Sequence, residues 1–251
     1  MNAMLSEARI KVVHRLAMHV RIDDGFFLRN RTPMVTFTFD DLPKSAVTSG
    51  GRMLEEHGAR GTFYVSGGEV GINTPEWETG DAADVAGLHR RGHEIGCHTF
   101  SHTRACDVGL TGLADEITRN RAWLHRVEPS ITAETFAYPF GMGSFVQKYL
   151  LKENFRTCRS IVPGVNQGFV DLQFLRANPL IDRDMDCDGI DRLFDETESA
   201  NGWLIFYGHD VTEKPSLYGC TTALLQHALA AATRRKIPIL TMAEGLRCAR
   251  S

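Results

Sequence analysis

Three places in the chain carry side chains whose types and spacing suit chemistry. The first is Asp40-Asp41, where the apolar run Met34–Phe39 ends in two adjacent carboxylates ahead of Leu42-Pro43. Crowded like charges raise the pKa of one member unless a bound cation neutralises them. The plainer alternative is a helix cap or polar turn. The second is His98-Thr99-Phe100-Ser101-His102. Histidines at i and i+4 share one face of a helical turn, which lets two imidazoles bind one metal. Joined by a carboxylate from another strand end, they make a three-ligand divalent site with a fourth position open, as in catalytic zinc centres. The third is His209, just past the apolar run Trp203–Tyr207 and Gly208. There it is placed for acid–base work near neutral pH, or is an ordinary loop histidine.

Such residues need elements to position them, and the chain reads as short apolar runs alternating with longer amphipathic stretches. Runs rich in β-branched and aromatic residues predict strands at Met34–Phe39, Gly61–Val65, Glu94–Cys97, Thr135–Tyr138, Trp203–Tyr207 and Ile237–Thr241. Helical periodicity falls at Ala46–His57, Ala82–Arg91, Leu113–Val127, Ser144–Glu153, Ile190–Glu198 and Thr222–Arg235, with Gly58 and Gly92 as stop signals. Strand alternating with helix implies parallel strands joined by crossovers, hence a closed or distorted barrel or a doubly wound sheet. Either puts functional residues at the C-terminal ends of strands.

One domain is expected. Residues 1–30 form an N-terminal extension whose amphipathic stretch (Ile10, Val13, Leu16, Ala17 and Val20 against Lys11, Arg15 and Arg21) is expected to pack on the barrel rather than lie on a membrane. The Gly-, Asn- and Asp-rich stretch 161–189 shows no readable pattern.

Composition sets the outer limits. In 251 residues, 43% are hydrophobic and 24% charged, the balance of an ordinary globular domain, which excludes intrinsic disorder. No run reaches the roughly 18 apolar residues of a membrane span, and the N-terminus lacks the apolar core of a secretory signal. The formal net charge of −3 lacks the basic excess of a nucleic-acid binder. Six cysteines without a C-x-x-C pair argue against a thiolate zinc site, and six reduced thiols in a cytoplasmic protein are expected.

Taken together, Thr38–Asp41 and Gly92–Gly96 running into His98–His102 resemble the first two motifs of the polysaccharide deacetylases, the NodB-homology enzymes of carbohydrate esterase family four. Gly58–Val65 is similar to that family's second strand, Phe136–Gly141 to its third motif and Leu204–His209 to its last, so that the resemblance spans about residues 34–245. It implies an α/β fold, a distorted (β/α) barrel of about seven parallel strands, covering residues 31–251. It also implies a divalent metal, Zn²⁺ or else Co²⁺ or Ni²⁺, held by Asp41, His98 and His102. Asp40 is then the general base and His209 the general acid. Tyr138, Pro139 and Phe140 border substrate, with the Phe140 N–H binding the oxyanion. The reaction implied is hydrolysis of N-acetyl groups on amino sugars of a polysaccharide, oligosaccharide or glycolipid.

Two features depart from the family pattern. The arginine that often opens the third motif and pairs with the base is here Ala137, leaving Arg159 and Arg176 as substitutes. No clean match exists for the aspartate that orients the acid histidine; Asp182, Asp184 and Asp191 lie in the right region.

Among neighbouring residues, Cys97 is expected to point away from His98 and pack. Glu94 and His93 either orient the ligands or are structural. Asp210 pairs with His209 or caps a turn, and Tyr218 and Trp203 are sugar-stacking surfaces or core aromatics. Two other readings keep part of this picture: a hydrolase of small non-peptide amides or cyclic imides, and a catalytically silent carbohydrate-binding protein. The sequence is silent on the sugar and on oligomeric state.

Overall fold

A computed structural model describes residues 7–22 and 25–251. Residues 1–6 and 23–24 of the N-terminal extension, and the side chain of Ile10, lie outside the described residues. The strands are β1 (Phe26–Phe27), β2 (Met34–Asp40), β3 (Thr62–Val65), β4 (Glu94–Cys97), β5 (Thr135–Ala137), β6 (Thr157–Arg159), β7 (Phe169–Val170), β8 (Asn178–Pro179) and β9 (Trp203–Gly208). The helices are α1 (Glu7–His19), α2 (Gly51–Glu56), α3 (Ala82–Arg90), α4 (Leu110–Val127), α5 (Phe145–Asn154), α6 (Cys187–Ser199), α7 (Thr222–Arg234) and α8 (Met242–Ala249).

Seven strands form one parallel sheet in the order β6-β5-β4-β3-β2-β9-β8, and β1 pairs with β7 in a separate antiparallel ribbon. Residues 172–180 link the two edges of the sheet. At one end Leu175 exchanges hydrogen bonds with β6, its N–H donating to Cys158 O and its carbonyl accepting from Ser160 N–H; at the other, Leu180 N–H donates to Tyr207 O on β9. The sheet therefore curls on itself into a distorted barrel, as expected. The stretch 161–189, unreadable in sequence, is the segment that does this.

Period-two alternation sorts the side chains. Val35, Phe37 and Phe39 of β2 point out into the core shared with the helices, whereas Met34 points into the barrel. Helix α8 closes the floor: Met242 and Leu246 join Trp203 and Ile205 in the barrel core. Gly245 lets the helix approach, since a Cβ there would stand 2.5 Å from the Trp203 indole.

Some elements differ from expectation. Ile237–Thr241 contributes only a bridge from Ile239 to Val35, because from Thr38 onward that flank of β2 is taken by β3. Ala46–His57 divides into a π-helical turn, Ala46–Gly50, and α2. Helix α1 lies against α5, whose buried Lys148 donates from Nζ to the carbonyls of Ala17 and Val20 and to Asp171, capping the helix C-terminus. Leu16 and Val20, expected on the packing face, are exposed. His14 faces inward instead, its ring 5.9 Å from that of Phe174. No helix among the described residues is long and apolar enough to cross a membrane.

Candidate active site

The inward positions end at the C-terminal rim of the barrel. Along β2 the last is Asp40, one step past Cys97 of β4 it is His98, on β6 it is Arg159, and on and beyond β9 they are Tyr207 and His209. All but Arg159 line a cleft of about 450 Å³, together with Asp41, His102, Phe140, Trp77 and Tyr218.

Asp40 and Asp41 share this cleft although they are adjacent, because the chain reverses immediately: Asp41 and Leu42 have φ of 62° and 54°. One carboxylate of Asp41 then lies 3.6 Å from His98 Nε2, 3.4 Å from His102 Nε2 and 3.7 Å from His209 Nε2. One ligand atom from each of Asp41, His98 and His102 lies within 4.8 Å of the others. His98 Nδ1 is 2.8 Å from Ala137 O, so it carries the proton and leaves the Nε2 lone pair toward Asp41. Burial holds the His98 imidazole neutral, with its pKa lowered to about 3, and lowers that of His102 as well. Burial also pushes the Asp41 carboxyl up to about 6, with Asp40 adding to the rise and His209 and Arg159 opposing it. Two neutral imidazoles beside a half-buried carboxylate fit a divalent metal ion.

The two histidines do not meet on a helical turn. Residues 98–102 form an irregular loop with positive φ at Thr99 (61°) and His102 (47°), and Thr103 N–H donates to the Thr99 hydroxyl rather than to a backbone carbonyl. Glu116 of α4 holds this loop, accepting from the N–H groups of Phe100 (2.9 Å) and Ser101 (2.7 Å) and from the Ser101 hydroxyl. Sequence reasoning missed Glu116, which sits unremarkably within an amphipathic helix. Of the eight non-glycine residues with positive φ among the described residues, five (Asp41, Leu42, Thr99, His102 and Phe140) belong to the site or adjoin it, so backbone strain is concentrated there.

Arg159 takes the place of the absent third-motif arginine. It stands directly beside Ala137 in the β5–β6 register, and its Nη2 lies 2.5 and 2.6 Å from the two oxygens of Asp40. The guanidinium is fully buried and packs over the rings of Tyr64 and Tyr207 at 5.2 and 5.4 Å. Burial raises the Asp40 carboxyl, but Arg159, with His98 and His209, outweighs it and holds the pKa below the usual carboxylate range. Arg176, the other candidate, donates to Pro163 O elsewhere.

None of the candidate aspartates supplies the partner of His209. Its Nδ1 lies 3.1 Å from Tyr218 O, while Asp182 accepts from Thr221, Asp184 pairs with Arg183, and Asp191 with His227. Asp210 does not pair with His209 either; it caps the following loop through Ser216. Trp77, absent from the sequence reading, stacks on the His209 ring at 5.4 Å and 28°.

Phe140 (φ 57°) is 55% exposed, with its ring 4.6 Å from that of His102. Tyr138 and Pro139, expected to border substrate, are buried: the Tyr138 hydroxyl donates to Gln173 O and its ring packs on Phe136 and Phe174. They shape the turn that presents Phe140. Gly141 makes that turn possible, since at φ 67° a Cβ would stand 2.1 Å from Ile161. Cys97 points outward and accepts from Asn120 Nδ2, as expected. Glu94 and His93 bond to floor and flank residues: Glu94 to Thr62, Thr135 and Ala243, His93 to Gly61 and Glu55. Trp203 lies on the floor, donating to the Thr36 hydroxyl, so it is no sugar platform. Tyr218 is at the cleft edge.

Comparison with known proteins agrees with this architecture. Among solved structures, the chitin deacetylase from the fungal pathogen Colletotrichum lindemuthianum superposes with a TM-score of 0.63 at 16% identity, over 87% of this chain and 89% of that one. A peptidoglycan deacetylase from Bacillus subtilis gives 0.61 at 13% identity, over 88% and 93%. In sequence, 86 residues (34% of the chain) are 31% identical to a chitin deacetylase of Arthroderma benhamiae, of which this stretch spans about a fifth (22%). The family model for polysaccharide deacetylase matches residues 28–153, half of the chain and the half that carries Asp40, Asp41, His98 and His102, so the chain belongs to the polysaccharide deacetylase family.

Proposed function

We propose that this chain is a metal-dependent hydrolase that removes N-acetyl groups from amino sugars of a polysaccharide, oligosaccharide or glycolipid. The observation that carries the reading is the meeting of Asp41, His98 and His102 beside a carboxylate already paired with a buried guanidinium. Asp41, His98 and His102 hold the cation, with Zn²⁺ first among the metals that suit this donor set. When bound, that cation supplies Lewis acidity, acidifying water and polarising the acetyl carbonyl.

The protein's own groups do the rest. Asp40, kept ionised by Arg159, takes the proton of the attacking water as its oxygen bonds to the carbonyl carbon. The Phe140 N–H is the backbone donor offered to the developing oxyanion, a contribution worth about 3–4 kcal/mol in other hydrolases. His209 then hands a proton to the nitrogen as the C–N bond breaks, so that acetate and a free amine leave. Neither product forms readily without this last transfer, because an unprotonated amide nitrogen is a poor leaving group.

The alternative of a silent sugar-binding protein rests on Ala137 and on the unmatched aspartate partner of His209; Arg159 supplies the cation that Ala137 lacks, and the Tyr218 carbonyl faces His209 Nδ1. The test separates ligand from base. Elemental analysis of His98→Ala should show loss of the roughly one metal per chain present in the parent. Asp40→Asn should keep that metal and lose acetate release from N-acetylglucosamine oligomers by about 10²–10⁴-fold. Full turnover in Asp40→Asn, or a full metal complement in His98→Ala, would refute the assignment.

A further inference from the structure

We infer that Trp77 is a positioning residue for the proton-donating histidine, and that an indole face and a main-chain carbonyl together do for His209 what a carboxylate partner would otherwise do. The inference rests on the proposed role of His209. Three contacts fix that imidazole. The Tyr218 carbonyl faces Nδ1 at 3.1 Å, the Trp77 indole lies along the ring at 5.4 Å and 28°, and the Tyr218 ring is tilted against it at 5.9 Å. Trp77 and Tyr218 also meet edge to face at 6.4 Å. A carbonyl restrains one atom of a ring and leaves rotation about that contact open; a stacked indole removes the rotation. Nε2 is thereby kept turned into the cleft, toward Asp41.

Both loops that carry these groups are tied down, as a positioning device requires. The Trp77 loop is bonded to the residues that follow Asp41: Gly80 N–H donates to Leu42 O and Lys44 N–H to Glu78 O. Within it, the Thr74 hydroxyl accepts from Trp77 N–H at 3.1 Å. The Tyr218 loop is drawn around buried Asp210, which accepts from Ser216 N–H and the Ser216 hydroxyl, while Cys220 N–H donates to Asp210 O. Gly219 permits that closure, as a Cβ there would stand 2.2 Å from the Asp210 carboxylate.

A group that only positions a proton donor matters where the leaving group needs a proton and little where it does not. The experiment therefore compares acetate release from an N-acetylglucosamine oligomer with hydrolysis of 4-nitrophenyl acetate, whose phenolate departs unaided, using zinc-loaded protein. Trp77→Leu is expected to lower kcat on the amide about 10–100-fold, the scale of a small misplacement of a reacting group. KM, metal content and ester turnover should stay near parental values, and Trp77→Phe should recover most of the loss. A higher KM with unchanged kcat would make Trp77 a sugar-stacking surface, and equal losses on amide and ester would make it merely structural; either overturns the inference. His209→Ala is the control for the underlying reading. If it too leaves the amide-to-ester ratio unchanged, the acid assignment itself fails and the inference with it, whereas a changed ratio there with an unchanged one in Trp77→Leu rejects the inference alone.

Discussion

Two carboxylates face the inside of the same barrel, Asp40 at its rim and Glu94 at its floor, and burial pushes both toward protonation. At the rim, Arg159 meets Asp40 across the barrel and, with two histidines, more than reverses that push. At the floor, Glu94 accepts from neutral donors, among them the hydroxyls of Thr62 and Thr135 and the N–H of Ala243, and its pKa stays above the ordinary glutamate value. Neutral donors suffice to make a buried carboxyl tolerable, but a cation is needed to make it a dependable anion. The barrel thus has a charged end suited to chemistry and a hydrogen-bonded end that knits β3, β4, β5 and α8 together.

The sharpest way to break this comparison is to remove the cation. Arg159→Met keeps much of the packing against Tyr64 and Tyr207 but strands Asp40 as a buried unpaired charge. It should cost about 3–5 kcal/mol of stability in denaturant unfolding. Adding Asp40→Asn should return much of that, because the stranded charge is gone. Losses that simply add in the double variant would mean that the two residues are energetically independent, against the geometry.

A second pair of substitutions separates rim from floor by function. Gly141 at the rim and Gly245 in α8 each admit a close neighbour, Ile161 and Trp203, and a Cβ at either would clash. Each change to Ala should cost about 1–3 kcal/mol in thermal or denaturant unfolding. Only Gly141→Ala should also lower kcat/KM, because it distorts the turn that presents Phe140. An equal fall in kcat/KM for Gly245→Ala would show that the floor is part of the catalytic machinery.

The same division explains what was legible in the sequence. Asp40, His98 and His209 stand on or just beyond regular apolar strands, so that alternation and strand ends locate them. Arg159 could be named only as one of two arginines, because β6 is three residues long and too short for alternation to register. His102 was recoverable by its spacing from His98 and Asp41 by the family resemblance, although the positive φ values that swing them into place leave no mark on composition. Trp77 left no signal at all: it stands in a polar loop, and what makes it relevant is the return of that loop onto Leu42–Lys44, a contact between segments more than 30 residues apart. The partner of His209 was sought among side chains and proved to be a main-chain carbonyl, which every residue possesses and none advertises.

The floor gives the smallest effect and the cleanest sign. Glu94 has its folded pKa above the ordinary value of 4.5 because burial outweighs its donors. Below about 4.5 the folded and unfolded chains both carry the proton, and the contribution of Glu94 to stability is complete. As pH rises from there through the folded pKa, the unfolded chain ionises first, so the folded state loses ground. Glu94→Gln cannot ionise and should escape that loss. Its stability should lie within about 1 kcal/mol of the parent near pH 4 and gain on the parent as pH rises toward neutrality, with metal content and acetate release unchanged. Unfolding curves measured from pH 4 to 8 decide it. A constant difference across that range would mean that Glu94 titrates alike in the folded and unfolded chains, and a gain by the parent as pH rises from 4 would mean that the floor, like the rim, holds a paired anion.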